Sequence, residues 1–497
     1  MLRGNNKKVE VTMSTPRILL INPPVNRLCD VAQNYFPLSL GYIAAVAKEQ
    51  GFEVSIYNAE IETEPMPVST NRLRIDNHRL FATALQDDSH RVWKEYREVL
   101  SRYKPDIVGF TVTSATVMSA LKMAREAKDT CHATVIFGGM HPTILPEQTA
   151  RAMGVDYIIV GDGEKSFSAL LESLSKQKDP FSLPGVGGVK EGRFHLNAAA
   201  PLIDIKSLPF PDRDVLIDFE KHRPFLYAVI TSRGCPYQCT FCSGRKITEA
   251  RVRFRPVEDV IEEIQLLRDR YGTSHIVFYD DSLVLNKTRM VDLCNSIIKR
   301  ELNITWAAFT RVDSLDEELL SVMKESGCTY LGLGVESGSE RTLALIKKGY
   351  TRAQVVKGVD LIKKSGIAPA MNIIIGFPFE REKDIQDSID LIEELGIATN
   401  VNTFTPYPGS ELYDECVRLG LIADTVDWMH ISQHSPYNAF VHEISVDRYR
   451  ELLDKMLGIA DRISFPEATI YVKPRAIKGT AYSRAQRLLR LLRASRS

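Results

Sequence analysis

Short apolar runs alternate with helical periodicity along the first third of the chain. Arg17-Ile-Leu-Leu-Ile-Asn22 reads as a buried strand ending at Pro23-Pro24. Leu38 to Gln50 repeats its apolar positions with helical spacing and stops at Gly51. Glu53–Tyr57, Ile107–Thr111, Thr134–Phe137 and Tyr157–Val160 are further strands, with a helix reaching about Asp129 and another starting after Gly161-Asp-Gly-Glu164. Strands alternating with helices predict a parallel sheet covered on both faces, a Rossmann-like α/β domain over residues 1–180. Ligands of such sheets bind past the strand carboxyl ends. Those ends carry Pro23-Pro24, Thr111 to Ser114, Gly138 to Pro142 and Gly161 to Glu164. Residues 60–90 are polar and irregular, the pattern of an insertion or lid.

Residues 181–224 predict a linker, within which Pro201 to Asp214, holding Pro201, Pro209 and Pro211, reads as an extended connector. A second alternating series follows. Its strands fall at Leu226–Thr231, Ile276–Tyr279, Thr305–Phe309, Tyr330–Val335, Met371–Ile375 and Val401–Phe404, with helices between them. These βα units predict a partial (β/α)6 barrel over 225–420, with functional groups at its strand carboxyl ends. Residues 421–497 predict a small, mostly helical C-terminal region in which Trp428 is the local anchor.

Composition narrows the class. The 497 residues exceed one ordinary domain, and 44% hydrophobic content is that of a globular chain. Lys plus Arg and Asp plus Glu both number 63, so no global field draws nucleic acid. Apolar runs fall short of the roughly 18 residues of a membrane span. Met1 to Thr15 is polar, which predicts no secretion signal and a cytoplasmic location. From Tyr471 onward there are eight basic residues and no acidic ones. Arg484, Arg487, Arg490 and Arg493 alternate there with leucines, so this segment can lie weakly on an anionic membrane surface or pack on the protein.

The densest chemistry is Ser232-Arg-Gly-Cys-Pro-Tyr-Gln-Cys-Thr-Phe-Cys-Ser243. Cys235, Cys239 and Cys242 in one Gly/Pro-punctuated loop can converge on a soft metal centre. Cubane iron–sulfur clusters normally take four thiolates, so three leave one iron open to a small molecule. A zinc knuckle with His222 as fourth ligand is the alternative, though zinc sites usually pair their ligands and supply all four. Cys294, Cys328 and Cys416 are scattered and read as buried apolar residues.

The CxxxCxxC spacing, with Phe241 before the third Cys, resembles the radical S-adenosylmethionine (SAM) superfamily. Later strand ends continue the resemblance over about residues 225–420: Asp280-Asp281-Ser282, Arg311 after the third strand, Gly332-Leu-Gly-Val-Glu-Ser-Gly338, and Asn372-Ile-Ile-Ile-Gly-Phe-Pro378. It implies a [4Fe-4S] cluster whose open iron binds SAM and reduces it to a 5′-deoxyadenosyl radical. Asp280 and Asp281 would lie near the SAM amino group, and Arg311 near its carboxylate or the substrate. Glu336 and Ser337 would meet the ribose or methionine end. Asn372, Ile374, Gly376 and Pro378 would line the adenine.

The layout as a whole resembles the cobalamin-binding radical SAM enzymes, on Asn22-Pro-Pro24, Phe36-Pro-Leu-Ser-Leu-Gly-Tyr42, Gly138-Gly-Met-His-Pro-Thr143 and Val160-Gly-Asp-Gly-Glu164. Cobalamin contacts would then come from Pro23, Pro24, Thr111, Thr113, Ser114, Gly138, Gly139, His141, Gly161, Gly163 and Glu164. The mutase motif D-x-H-x-x-G is absent, so His141 is expected to order its loop or touch the nucleotide tail. The resemblance implies methylation of an unactivated carbon or phosphorus of a small molecule, by way of methylcobalamin and the deoxyadenosyl radical. Ring contraction, cyclisation and oxygen insertion share the same motifs. A lipid-like substrate and a flavodoxin- or ferredoxin-type reductant protein also fit. The tRNA methylthiotransferase group needs three further N-terminal cysteines, and only Cys29 and Cys131 precede Cys235. A non-catalytic sensor of SAM or cobalamin is the alternative of another class.

Overall fold

The computed structural model describes residues 16–464 except 65, 67, 68, 199 and 423–425. Strands β1 (Arg17–Asn22), β2 (Glu53–Asn58), β3 (Ile107–Thr111), β4 (Thr134–Gly138), β5 (Tyr157–Ile159), β6 (Val186–Lys190) and β7 (Arg193–Leu196) form one sheet in the order 2-1-3-4-5-6-7. The first five are parallel, and β6 and β7 join antiparallel. The order reverses between β1 and β3, which opens a crevice at their carboxyl ends. β6 and β7 fall within the stretch expected to be a linker, ahead of its extended part, and add to the N-terminal sheet. Glu191 and Gly192, both at positive φ, close a two-residue hairpin between Lys190 and Arg193.

The second half begins with β8 (Ala228–Val229), β9 (Ser232–Arg233) and β10 (Arg253–Phe254). β11 (His275–Phe278), β12 (Thr305–Thr310), β13 (Cys328–Glu336), β14 (Ala368–Ile375) and β15 (Ala398–Thr403) complete it. β8 and β11–β15 make a parallel six-stranded sheet in sequential order, and β9 pairs with β10 alone. β8 and β15 do not meet, so the barrel is open. Helix Val446–Ser464 covers the β15 edge, where Thr399 N–H donates to Ser464 Oγ at 3.0 Å. Among the described residues no helix is long and apolar enough to cross a membrane. The basic run after Tyr471 lies outside the described residues.

Residues 60–90 are not irregular. They hold helices Asn71–Asn77 and Leu80–Gln86. The Thr70 hydroxyl caps the first, accepting Leu73 N–H at 3.0 Å, a signal present in the sequence. This helix spans to the barrel edge. Asp461 accepts the N–H groups of Asn71 and Arg72, while the Asn71 amide bonds Thr399 O and Val401 N–H.

Buried charge joins the two halves. Arg213, from the segment between the domains, is fully buried and donates to Glu263 Oε1 at 2.8 Å and to Ala228 O at 2.7 Å. Arg255 takes the other oxygen of Glu263 at 2.5 Å. Removing one member of such a group leaves the others buried without compensation. Glu263→Gln is therefore expected to cost about 3–5 kcal/mol. The urea midpoint should fall accordingly, whereas Glu382→Gln, in an exposed pair with Arg448, should move it little.

Candidate functional site

The carboxyl ends of both parallel sheets face one cavity of about 1350 Å³. Thr111, Thr113, Gly138, Gly139, Gly161, Gly163 and Glu164 line its N-terminal wall; Ser232, Arg233 and Asp281 line the barrel wall. A second cavity of about 370 Å³ is lined by Phe241, Glu336, Asn372 and Ile374. The two cavities share Gln33, Arg74, Phe309, Asn400 and Gln433 as a common wall.

Cys235, Cys239 and Cys242 occupy the loop between β9 and helix Gly244–Thr248. Gly234 opens it at φ +99°, where a Cβ would lie 2.0 Å from Arg251 O, so only glycine fits. Gly234 N–H donates to Asp281 Oδ2 at 3.0 Å. Cys242 N–H donates to Cys239 O at 3.1 Å, and Gly244 N–H to Cys242 Sγ at 3.3 Å. All three thiols are free; Cys235 and Cys239 are half-buried, and Cys242 is exposed at the rim. Desolvation pushes the three thiols up, and the Lys348 and Arg311 cations oppose this at Cys239. Among the described residues no three potential ligands converge on a single ion position. A cubane binds each thiolate at a separate iron, so it does not require the three to meet at one ion position. His222 is buried, with desolvation holding it down at about 4.

The remaining barrel residues divide into those that face the cavities and those that do not. Asp280 is spent on structure: it accepts from Thr231 N–H, Thr231 Oγ1 and Ser232 Oγ, and burial raises its pKa. Its neighbour Asp281 lines the larger cavity. Arg311 is buried between the rings of Tyr237, 3.8 Å away, and Tyr350. It donates to Asp313 and to Lys348 O, yet its Nη1 has no partner. An orphaned donor close to Cys239 suits an anionic group arriving there. Glu336 sits at φ +71°, a strained value for a non-glycine residue, and its Oε1 lies 2.9 Å from Lys348 Nζ.

Asp280, Arg311, Ser337, Gly376 and Pro378, all expected near SAM, line neither cavity. Ser337 is fully buried, its hydroxyl bonded to Ser388 Oγ and Ser339 N–H. The turn of Gly376 and Pro378 is held by Glu380 Oε2, which accepts Gly376 N–H at 2.8 Å and Phe377 N–H at 3.1 Å.

On the N-terminal side, Gly139 has φ +103°, and a Cβ there would meet Val112 backbone at 2.9 Å. This brings the Gly138-Gly139 turn against β3. Pro23 and Pro24 are buried beside the cavity residues Asn22 and Val25 but do not line it. Ser114 Oγ bonds His141 Nδ1 at 3.2 Å, and the ring of Trp428 meets His141 edge-on at 4.7 Å. His141 is thus sealed under the C-terminal region, with desolvation lowering it to about 4. Glu164 is paired across the cavity, 2.6 Å from Arg233. Asp162 bonds both Arg253 and, at 3.5 Å, Arg233.

Sequence reasoning missed Lys348, Arg233 and Arg74. Lys348 follows Glu336 by twelve residues, and nothing in Ile346-Lys-Lys-Gly349 marks a buried cation. Arg233 carried a weak signal in its place beside the cysteine loop.

The profile described as the radical SAM superfamily matches residues 229–392, and that of the B12 binding domain matches residues 28–171. An uncharacterized methyltransferase of Pyrococcus horikoshii is 31% identical over 475 residues, 94% of each chain. The anaerobic magnesium-protoporphyrin IX monomethyl ester cyclase of Rubrivivax gelatinosus is 24% identical over 89% of this chain and 76% of its own. The cytidylyl-2-hydroxyethylphosphonate methyltransferase of Streptomyces wedmorensis is 28% identical over 82% of each. The fold matches the radical SAM methyltransferase TsrM of Kitasatospora setae at a TM-score of 0.67, with 17% identity, over 90% of this chain and 91% of that one.

Glu380 sets a pH dependence. Burial pushes its carboxyl up to about 8, against the two N–H donors. The folded carboxyl thus holds its proton more tightly than the unfolded one, whose pKa is about 4.3. Its stabilising contribution is full below that lower value and is lost as pH rises through about 8. Tm measured across this window should fall in wild type and stay flatter in Glu380→Gln.

Proposed function

Because this chain belongs to the cobalamin-binding members of the radical SAM superfamily, we propose that it methylates an unactivated carbon, or a phosphorus, of a small molecule. The observation that carries the reading is the large cavity, lined on one side by the Gly-rich loops of the N-terminal sheet and on the other by Ser232, Arg233 and Asp281, which flank the cysteine loop, while Phe241 of that loop lines the smaller cavity. When bound, the cluster and SAM supply the 5′-deoxyadenosyl radical and cobalamin supplies the methyl group.

The residues supply position. Cys235, Cys239 and Cys242 hold the cluster, with Gly234 and Asp281 fixing their loop. The orphaned Nη1 of Arg311 and the ammonium of Lys348 are cations for the methionine carboxylate. Glu336, Asn372, Ile374 and Phe241 form the pocket for the nucleoside end of SAM. Thr111, Thr113, Gly138, Gly139, Gly161 and Gly163 receive cobalamin, and their lack of bulk lets backbone approach it. Glu164 acts through Arg233, holding the cobalamin loop to the cluster loop. His141 orders its loop and is not a cobalt ligand, since it is buried against Ser114 and Trp428. Cys242, exposed at the rim, is the point of electron entry from a flavodoxin- or ferredoxin-type donor in a reducing cytoplasm. A cyclisation outcome is the second reading, favoured by the resemblance to a ring-forming relative.

Anaerobically reconstituted protein with SAM and a reductant should release 5′-deoxyadenosine and S-adenosylhomocysteine and show corrin absorbance. Cys235→Ala, Cys239→Ala and Cys242→Ala should each drop deoxyadenosine release to background while the corrin bands persist. Undiminished release from any of them would refute the cluster assignment.

A further inference from the structure

The common wall of the two cavities stands between the pocket assigned to SAM and the one assigned to cobalamin, where a substrate has to lie. Its composition is uneven. Arg74, on helix Asn71–Asn77, lines both cavities. Among the described residues its half-buried guanidinium has no side-chain partner, and the exposed side chains of Gln33 and Gln433 line the same two cavities. Burial lowers the pKa of Arg74, so an anion seated in the cavities would restore what its charge loses by leaving water.

Several acids of the large cavity are engaged elsewhere. Glu60 accepts the N–H groups of Val25, Asn26 and Arg27. Glu62 is taken by Arg27 and Arg91, and Glu164 pairs with Arg233 through one oxygen, its buried Oε2 having no partner. Asp461, the acid that most offsets Arg74, has both oxygens on the N–H groups of Asn71 and Arg72. His434, on the smaller cavity, is pushed down to about 3 by burial and by Arg74, so it stays neutral and can accept or donate. The cations that influence the cluster thiol Cys239 are Lys348 and Arg311. Arg74 is therefore spare with respect to the methionine carboxylate.

We propose that Arg74, with the amides of Gln33 and Gln433, binds an oxyanion of the substrate, a carboxylate or phosphoryl group, at the divide between the two cavities. This site selects anionic small molecules and holds them by charge-assisted hydrogen bonds, bidentate where the guanidinium fork allows. It rests on the assignment of the two cavities to SAM and cobalamin made above.

The test is ³¹P line broadening of inorganic phosphate and of methylphosphonate, titrated with the full-length reconstituted protein. Wild type should give saturable broadening. Arg74→Gln should weaken it by about tenfold or more, with partial recovery in Arg74→Lys. Arg72→Gln, on the same helix but paired with Asp454 outside, should behave as wild type. Gln433→Leu, on a separate segment, should weaken binding even if Arg74→Gln fails to fold. SAM and corrin occupancy should be equal in all variants. Unchanged broadening in Arg74→Gln, or none in wild type, would overturn the site. Loss of SAM or corrin occupancy in Arg74→Gln would also overturn it, by giving Arg74 to a cofactor anion. Arg74-dependent phosphate binding by a protein that releases no deoxyadenosine would instead sink the cofactor reading and leave the anion site standing.

Discussion

Arg233 lies two residues before Cys235 in the chain, yet its guanidinium is bonded to Glu164 of the other domain. The rest of the site depends on this contact. It ties the loop that carries the three thiols to the loop that closes the N-terminal sheet, and Asp162 strengthens the tie through Arg253. Each parallel sheet offers a binding crevice at its strand carboxyl ends. Only a fixed relation between the sheets turns two crevices into one cavity. Arg213 and Arg255, converging on Glu263, set the same relation from deeper inside.

Polar groups around the cavities fall into two populations. Asp280, Ser337, Glu380 and Glu60 have their hydrogen-bonding capacity used by backbone or neighbouring hydroxyls, and they shape strand ends and turns. The Nη1 of Arg311 and the strained Glu336 with Lys348 keep capacity, or strain, that internal structure does not use. Burial makes an unused donor expensive, which is why the proposed ligand contacts are drawn from groups of the second kind.

Much of the fold was legible in the chain. The two βα series follow from short β-rich runs punctuated by Gly and Pro, whereas the 2-1-3-4-5-6-7 strand order of the first sheet was not read from them. The cysteine loop followed from spacing alone. Other features were not legible. The β6–β7 hairpin hid in a glycine-rich stretch whose one signal was Glu191-Gly192. Helix Asn71–Asn77 hid because its polar face is turned into contacts with Asp461 and Thr399 instead of into solvent. Ser337 and the N–H of Gly376 lie in the expected motifs, and their hydrogen bonds go to Ser388 and Glu380. Motif membership reports a stretch of backbone, and each side chain's direction depends on what packs against it.

The sequence by itself determined the chemistry that this protein can support: three thiols in one Gly/Pro-punctuated loop, and two βα series whose strand carboxyl ends are where such sheets take ligands. These are local properties, set by spacing, backbone freedom and hydrophobic period within a few tens of residues. The tertiary structure alone decided which charges are spent and which are free. Glu164 was answered by Arg233, and Asp461 by the N-terminus of a helix nearly four hundred residues away, while Arg74 was left without an acceptor. Electrostatic compensation in a desolvated interior is a matter of distance in space, and distance in space is what the order of residues does not state.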